Sequence, residues 1–309
     1  MVRGKLSVEA VSDKSAEARR AALAVAGAAP KEISYSFSAR SRAGRTLIRS
    51  IETLTGRPRL LRLAEGYERE VEAGRNFWEV MQERYRIRLD FVSGGLENIP
   101  RDGPLIVVAN HPYGILDGLA MGRMLQITRG DFKIIANNVF KKAKDLDAVI
   151  LPIDFSESKA AQRVNIETRK EALRYLGAGG AIAIFPGGTV STAARPFDRA
   201  MDPPWKTFTA RMIAKSKAAV VPVYFEGANS RLWQVASHMH VTLRMALLIN
   251  EFESRVGEPL RMSIGKPIDR DQIDKRIGDA RALMDYLRDC TYGLSAKPMK
   301  KIDYGLYLG

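Results

Sequence analysis

Two kinds of apolar pattern alternate along this chain. Short unbroken apolar runs, PLIVVAN (104 to 110), FKIIAN (132 to 137), AVILPI (148 to 153), AIAIFP (181 to 186) and AVVPVYF (219 to 225), are separated by segments of helix length. Runs without a polar face belong to strands covered on both sides, so the pattern predicts an α/β fold, a largely parallel central sheet flanked by helices. The clearest crossover helix spans about Ser158 to Leu176 and is stopped by the GAGG at 177 to 180. Those glycines end a helix and precede a strand, the reverse of a dinucleotide-binding fingerprint, so they do not argue for a nucleotide. A further helical period runs from Arg270 to Cys290.

Ahead of the strands the pattern is looser. Residues 1 to 40 show no sustained period and read as a mobile leader; Arg19 and Arg20 before AALAVAGAAP suggest an export signal, but the Ala-dominated run and the acids Glu9, Asp13 and Glu17 favour an Ala-rich helix. Residues 41 to 88 form a helical, basic amphipathic N-terminal segment. In it Arg40, Arg42, Arg45, Arg49, Arg57, Arg59 and Arg62 face Glu52 alone, while Leu47, Ile48, Ile51 and Leu54 recur at helical spacing. Such a stripe either packs on a core or lies on a membrane, and the sequence leaves both open. A second helix is expected over Tyr67 to Tyr85, then an edge strand in RIRLDFVSG. Residues 89 to 309 make up the main domain.

Composition narrows the partners. The 309 residues carry 49 Lys and Arg against 35 Asp and Glu, a formal charge of +14, so the partner is expected to be anionic: a bilayer surface, an acidic carrier protein, a phosphate-rich cofactor or nucleic acid. The aromatic interleaving that stacks bases is missing from the Arg-rich segment, which argues against nucleic acid. A lone cysteine, Cys290, implies a reducing compartment, hence cytoplasm, and no apolar run approaches the 18 or so residues of a membrane span, so membrane contact is expected to be peripheral. His238 and His240 lack the further ligands a metal site needs, and no metal is expected.

The chemistry concentrates in VVANHPYGILDG, residues 107 to 118. There a buried strand runs straight into His111, a Pro-Tyr-Gly turn and Asp117, and polar residues at the carboxyl end of such a strand are placed for function. His111 suits a general base and Asp117 the carboxylate that orients it, although an Asp at that position is also a helix cap. Downstream, AIAIFPGGTVST puts Gly187, Gly188 and Thr189 after another strand, where backbone amides can face an oxyanion. Trp205, Phe208 and Trp233 are read as core in preference to the lining of an apolar channel.

In this order NHPYGILD, the crossover helix, FPGGTVS and VVPV (220 to 223) resemble the glycerolipid acyltransferase family, of the bacterial lysophosphatidate acyltransferase type, over roughly residues 90 to 270. The resemblance implies that 89 to 309 is an acyltransferase domain. It further implies that His111 deprotonates the acceptor hydroxyl under the guidance of Asp117, with no enzyme nucleophile and no permanently bound cofactor. The donor would be acyl-CoA or acyl carrier protein, and the acceptor a lysophospholipid or related lipid at the cytoplasmic face of the membrane. Three departures qualify the match. Five residues separate His111 from Asp117 where the family has four; Gly187 stands where it has Glu, and Val190 where it has Arg. The family's phosphate contact is therefore missing from this loop. Lys141, Lys142, Arg195 and Arg199 are candidate replacements, or the acceptor carries no phosphate there, as in an amino-acid-containing lyso-lipid. The reading of another class is a non-catalytic basic module that binds lipid or nucleic acid.

Overall fold

A computed structural model describes residues 34–36, 39, 41–137, 144–153, 159–299 and 301–306. Its main sheet is built from β1 (Arg88–Ser93), β2 (Leu105–Ala109), β3 (Lys133–Asn137), β4 (Ile150–Ile153), β5 (Ala181–Ile184), β8 (Ala219–Phe225) and β9 (Pro259–Ile264). The order across the sheet is β1-β9-β8-β2-β5-β3-β4, parallel throughout except for the antiparallel β8–β9 pair. A two-stranded antiparallel ladder, β6 (Thr192–Ala193) with β7 (Ala200–Met201), stands apart from it.

The unbroken apolar runs are explained by β2 at the centre. Leu105, Val107 and Ala109 enter one buried cluster, and Ile106 and Val108 enter the other on the opposite face. No position on the strand can therefore be polar until it ends at Asn110. The helices on the two faces are α5 (Ile115–Arg129), α6 (Lys144–Asp147), α7 (Lys159–Gly177), α8 (Phe208–Lys215), α9 (Arg231–Met239), α10 (Val241–Ser254), α11 (Arg270–Asp274) and α12 (Ala280–Tyr292). Before the sheet come α1 (Arg42–Leu54), α2 (Arg57–Ala64), α3 (Tyr67–Glu72) and α4 (Phe77–Arg84).

Three elements differ from the sequence pattern. The single helix expected over Tyr67 to Tyr85 is two, because Gly74 takes φ +96° and Asn76 restarts the chain by accepting the amides of Trp78 and Glu79. The helix expected from Arg270 to Cys290 is likewise interrupted, and Asp279 caps α12. Strand β9 has no counterpart among the unbroken apolar runs, since PLRMSI mixes exposed and buried positions; it lies inside the edge strand β1.

Only part of α1 packs on the body of the protein. Ile48 and Glu52 are buried against the body of the protein, where α1 packs on α10, whereas Leu47 and Leu54, two turns apart, are 48% and 84% exposed. Among the described residues no helix is long and apolar enough to cross a membrane.

Candidate active site

The site grows from the end of β2. Asn110 continues the strand with its side chain: its amide nitrogen donates to the Phe225 carbonyl at 2.9 Å and its oxygen accepts from the Phe225 amide at 2.7 Å. The side chain thus imitates one more backbone rung between β2 and β8 while the main chain turns away. The chain then passes through His111, Pro112 and Tyr113 to Gly114, whose φ of +77° only a glycine adopts without strain, and enters α5.

Asp117 sits in the first turn of α5 and is completely buried. Its Oδ2 accepts the amides of Tyr113 at 2.8 Å and Gly114 at 3.1 Å, and lies 3.0 Å from His111 Nδ1. That last approach is close but bent away from the line of a straight N–H···O bond. The capping and the base-orienting readings of Asp117 therefore coexist in one carboxylate. Burial pushes its carboxyl above the ordinary range, opposed by His111 and then by the two amides.

The His111 ring stacks on Phe185, with ring centroids 4.2 Å apart and planes 25° from parallel, and its side chain stays 19% exposed. The two blocks singled out in the sequence thus meet face to face. Nδ1 is turned to Asp117, which leaves Nε2 as the ring atom able to take a proton from a substrate. The backbone of His111 is fixed as well: its carbonyl accepts the Ser191 amide at 2.8 Å, and its amide donates to Asp202 Oδ1 at 3.2 Å.

Asp202 is an organising residue that the sequence pattern did not reveal. Fully buried, it also accepts the Ser191 hydroxyl on Oδ1 and the Trp205 indole N–H on Oδ2, the latter at 2.8 Å. It lies against Gly187, where a Cβ would come within 3.3 Å of its side chain. The loop that lacks a carboxylate at 187 therefore packs directly on one supplied just after β7. Only its position after a short hairpin marks Asp202, and that hairpin is too short to read from periodicity.

The FPGG string forms the tight turn its composition suggests, with the Gly188 amide donating to the Phe185 carbonyl at 3.0 Å. That amide is engaged in the turn, which leaves Gly187 and Thr189 as the oxyanion-facing candidates of the three. Among the replacement cations, Arg195 is exposed, and Arg199 is exposed and reaches the Tyr224 hydroxyl and Ser295. Lys141 and Lys142 lie outside the described residues. His238 bonds the Ala193 carbonyl and His240 caps α10, so neither faces the other's ligand sphere; among the described residues no cluster of three metal-ligating side chains occurs. Trp205 and Trp233 are completely buried, in keeping with the core reading. A cleft lined by Lys217, Ala219, Ile268 and Arg270 opens where β8 begins. Ala219 pairs with Leu105, so this cleft lies at the opposite end of the sheet from His111.

A family model described as Acyltransferase matches residues 61–299. Two bacterial proteins, the lyso-glycine lipid O-acyltransferases of Phocaeicola vulgatus and Bacteroides thetaiotaomicron, are each 28% identical to this chain over 212 residues, 65% of its length and 71% and 73% of theirs. The crystal structure of the 1-acyl-sn-glycerophosphate (LPA) acyltransferase PlsC from Thermotoga maritima overlaps it with a TM-score of 0.43 at 19% identity, covering 86% of this chain and 87% of that one.

Proposed function

The chain belongs to the acyltransferase family, and from that premise we propose that it moves a fatty acyl group from a thioester donor to the hydroxyl of a lyso-lipid whose head group is an amino acid of the glycine class. The observation that carries the reading is the His111–Asp117 pair at the carboxyl end of β2, stacked on the FPGG loop. In the reaction the acceptor oxygen attacks the thioester carbonyl while His111 Nε2 takes its proton. Asp117, 3.0 Å from Nδ1, stabilises the imidazolium that results. The tetrahedral oxyanion is met by backbone amides of the Gly187–Thr189 loop; it collapses by breaking the C–S bond, and the imidazolium returns the proton to the departing thiolate.

Two observations support the acceptor class. Neither Gly187 nor Val190 offers the charge that would clamp a phosphate from this loop, and the two relatives named above are lyso-glycine lipid O-acyltransferases. The donor is acyl-CoA or acyl carrier protein; the excess of positive charge suits either, since one carries phosphates and the other is acidic. The protein works at the cytoplasmic membrane surface, supported by two exposed apolar pairs. These are Leu47 with Leu54 on α1 and Leu232 with Met239 on α9, each pair seven residues apart on one helix face, and α1 also carries the exposed Arg42 and Arg45.

The test is turnover by purified protein on a panel of a lyso-glycine lipid, lysophosphatidic acid, glycerol-3-phosphate and other lysophospholipids, with wild type and His111→Ala. The glycine acceptor is expected to be used best. The substitution should remove at least the 10² to 10⁴ or so that a positioned base contributes. Activity of the variant within threefold of wild type would reject His111 as the base, and a preference for lysophosphatidic acid would reject the acceptor.

A further inference from the structure

From Phe185 to Ala194 the loop beside the dyad carries no charged side chain, yet a charge reaches it from elsewhere. Arg244 of α10, only 2% exposed, donates from Nη1 to Thr192 Oγ1, and from Nη2 to Thr189 Oγ1 at 3.1 Å and to the Val190 carbonyl at 2.8 Å. Its guanidinium also lies 4.3 Å above the Trp233 ring. All of these partners are neutral, and among the described residues no carboxylate pairs with it. Burial lowers its pKa to about 10, which still leaves the group charged at neutral pH. A buried cation with no counter-charge is costly to maintain, and an anion that reached it would offset that cost.

The surroundings of Arg244 adjoin the dyad. The Tyr35 hydroxyl takes a hydrogen bond from the Ile115 amide, in the first turn of α5, and feels the charges of both Arg244 and Asp117. A Cβ on Gly114 would lie 3.3 Å from that hydroxyl and 3.4 Å from Val190 Cγ2, so phenol, loop and helix start converge. Of the three loop residues that bond Arg244, Thr189 is half-buried, whereas Val190 and Thr192 are buried.

We propose that this corner receives the acceptor's anionic head group, a carboxylate, with Arg244 as the residue that binds it. Three of the five guanidinium N–H groups are engaged by the loop, which leaves Nε–H and one Nη1–H as single donors to an approaching anion. One cation also balances one negative charge, whereas a phosphate monoester brings a third oxygen and more than one charge. The role rests on the acceptor class proposed above and specifies which atoms of that acceptor are recognised.

The experiment compares two acceptors differing in one group: an N-acylglycine with a hydroxyl on its acyl chain, and the same molecule with the carboxylate replaced by a primary amide. Steady-state kinetics are measured for wild type, Arg244→Lys and Arg244→Gln, with circular dichroism to confirm folding. Wild type should prefer the acid by tenfold or more in kcat/KM. Arg244→Gln should raise KM for the acid at least tenfold while shifting KM for the amide less than twofold, which erases the preference. Arg244→Lys, which keeps the charge with fewer N–H donors, should retain part of it and serves alone if the Gln variant does not fold. Parallel losses on both acceptors would make Arg244 a mere prop for the loop and overturn the proposal. Equal use of acid and amide by wild type would overturn it while leaving the acceptor class intact. Failure of wild type on both, with turnover of lysophosphatidic acid, would overturn the acceptor class and this inference with it.

Discussion

Removing the Asp202 side chain should damage stability and catalysis together, by an amount that its bonds allow to be worked out. In Asp202→Ala three donors lose their acceptor: the His111 amide, the Ser191 hydroxyl and the Trp205 indole N–H. Each buried donor left unpaired costs about 1–3 kcal/mol, and because the three share one carboxylate the combined loss is on the order of 3–6 kcal/mol. Against a total stability of about 5–15 kcal/mol that is a large fraction. Asp202→Asn keeps an oxygen for His111 and Ser191 and turns an amide against the indole N–H, so one donor is stranded and the expected loss is about 1–3 kcal/mol. Urea unfolding monitored by tryptophan fluorescence gives both numbers, and kcat on the same preparations shows whether a loosened His111 backbone slows turnover. A loss below about 1 kcal/mol for the Ala variant would mean that solvent or a neighbour takes over these donors, and the network would not be what fixes His111.

Asp117→Asn should abolish most turnover yet raise stability in a pH-dependent way. Burial raises this carboxyl in the folded state, so the contribution of Asp117 is complete below its unfolded value of about 4 and is lost as pH rises toward the folded one. The Tm advantage of the Asn variant should therefore widen from pH 4 to pH 7, and a gap that narrows would contradict the sign. Gly227→Ala should cost about 1–3 kcal/mol in strain at φ +94°, and its Cβ, 2.1 Å from the Tyr113 hydroxyl, should push that ring and lower kcat as well as Tm. Replacing the exposed Arg42 and Arg45 by Gln should weaken binding to anionic vesicles by up to about thirtyfold, at about 1 kcal/mol each, and leave neutral vesicles unaffected; sedimentation with vesicles of both compositions decides it.

What the sequence made legible was the part whose signals are local. The two-sided burial of β2, β3, β4, β5 and β8 forces unbroken apolar runs, and the abrupt change to Asn110-His111 at the end of one of them marks the site. The pairing of His111 with Asp117 spans a single turn, so it too could be read from spacing. Arg244 and Asp202 could not, because each acts on residues far away in the chain and neither sits in a pattern of its own. Gly74 does not stand out as a helix break because its neighbours keep a helical period on both sides. The partial exposure of α1 was beyond the sequence for a similar reason: the position of Ile48 against α10 and of Leu54 in solvent depends on where α10 lies.

The order of strands in the sheet also dictates when in the life of the molecule the site can exist. His111 follows β2, but β2 is flanked by residues 181–184 on one side and 219–223 on the other, both made much later during synthesis. The Asn110 rung waits for Phe225, the clamp on the His111 backbone waits for Ser191 and Asp202, and β8 is itself covered by β9 only after residue 264. Contacts of such sequence separation form slowly, after the loops between them have closed. A nascent or truncated chain ending before β8 therefore carries His111 and Asp117 without the frame that aims them, and competence arrives together with the completed sheet.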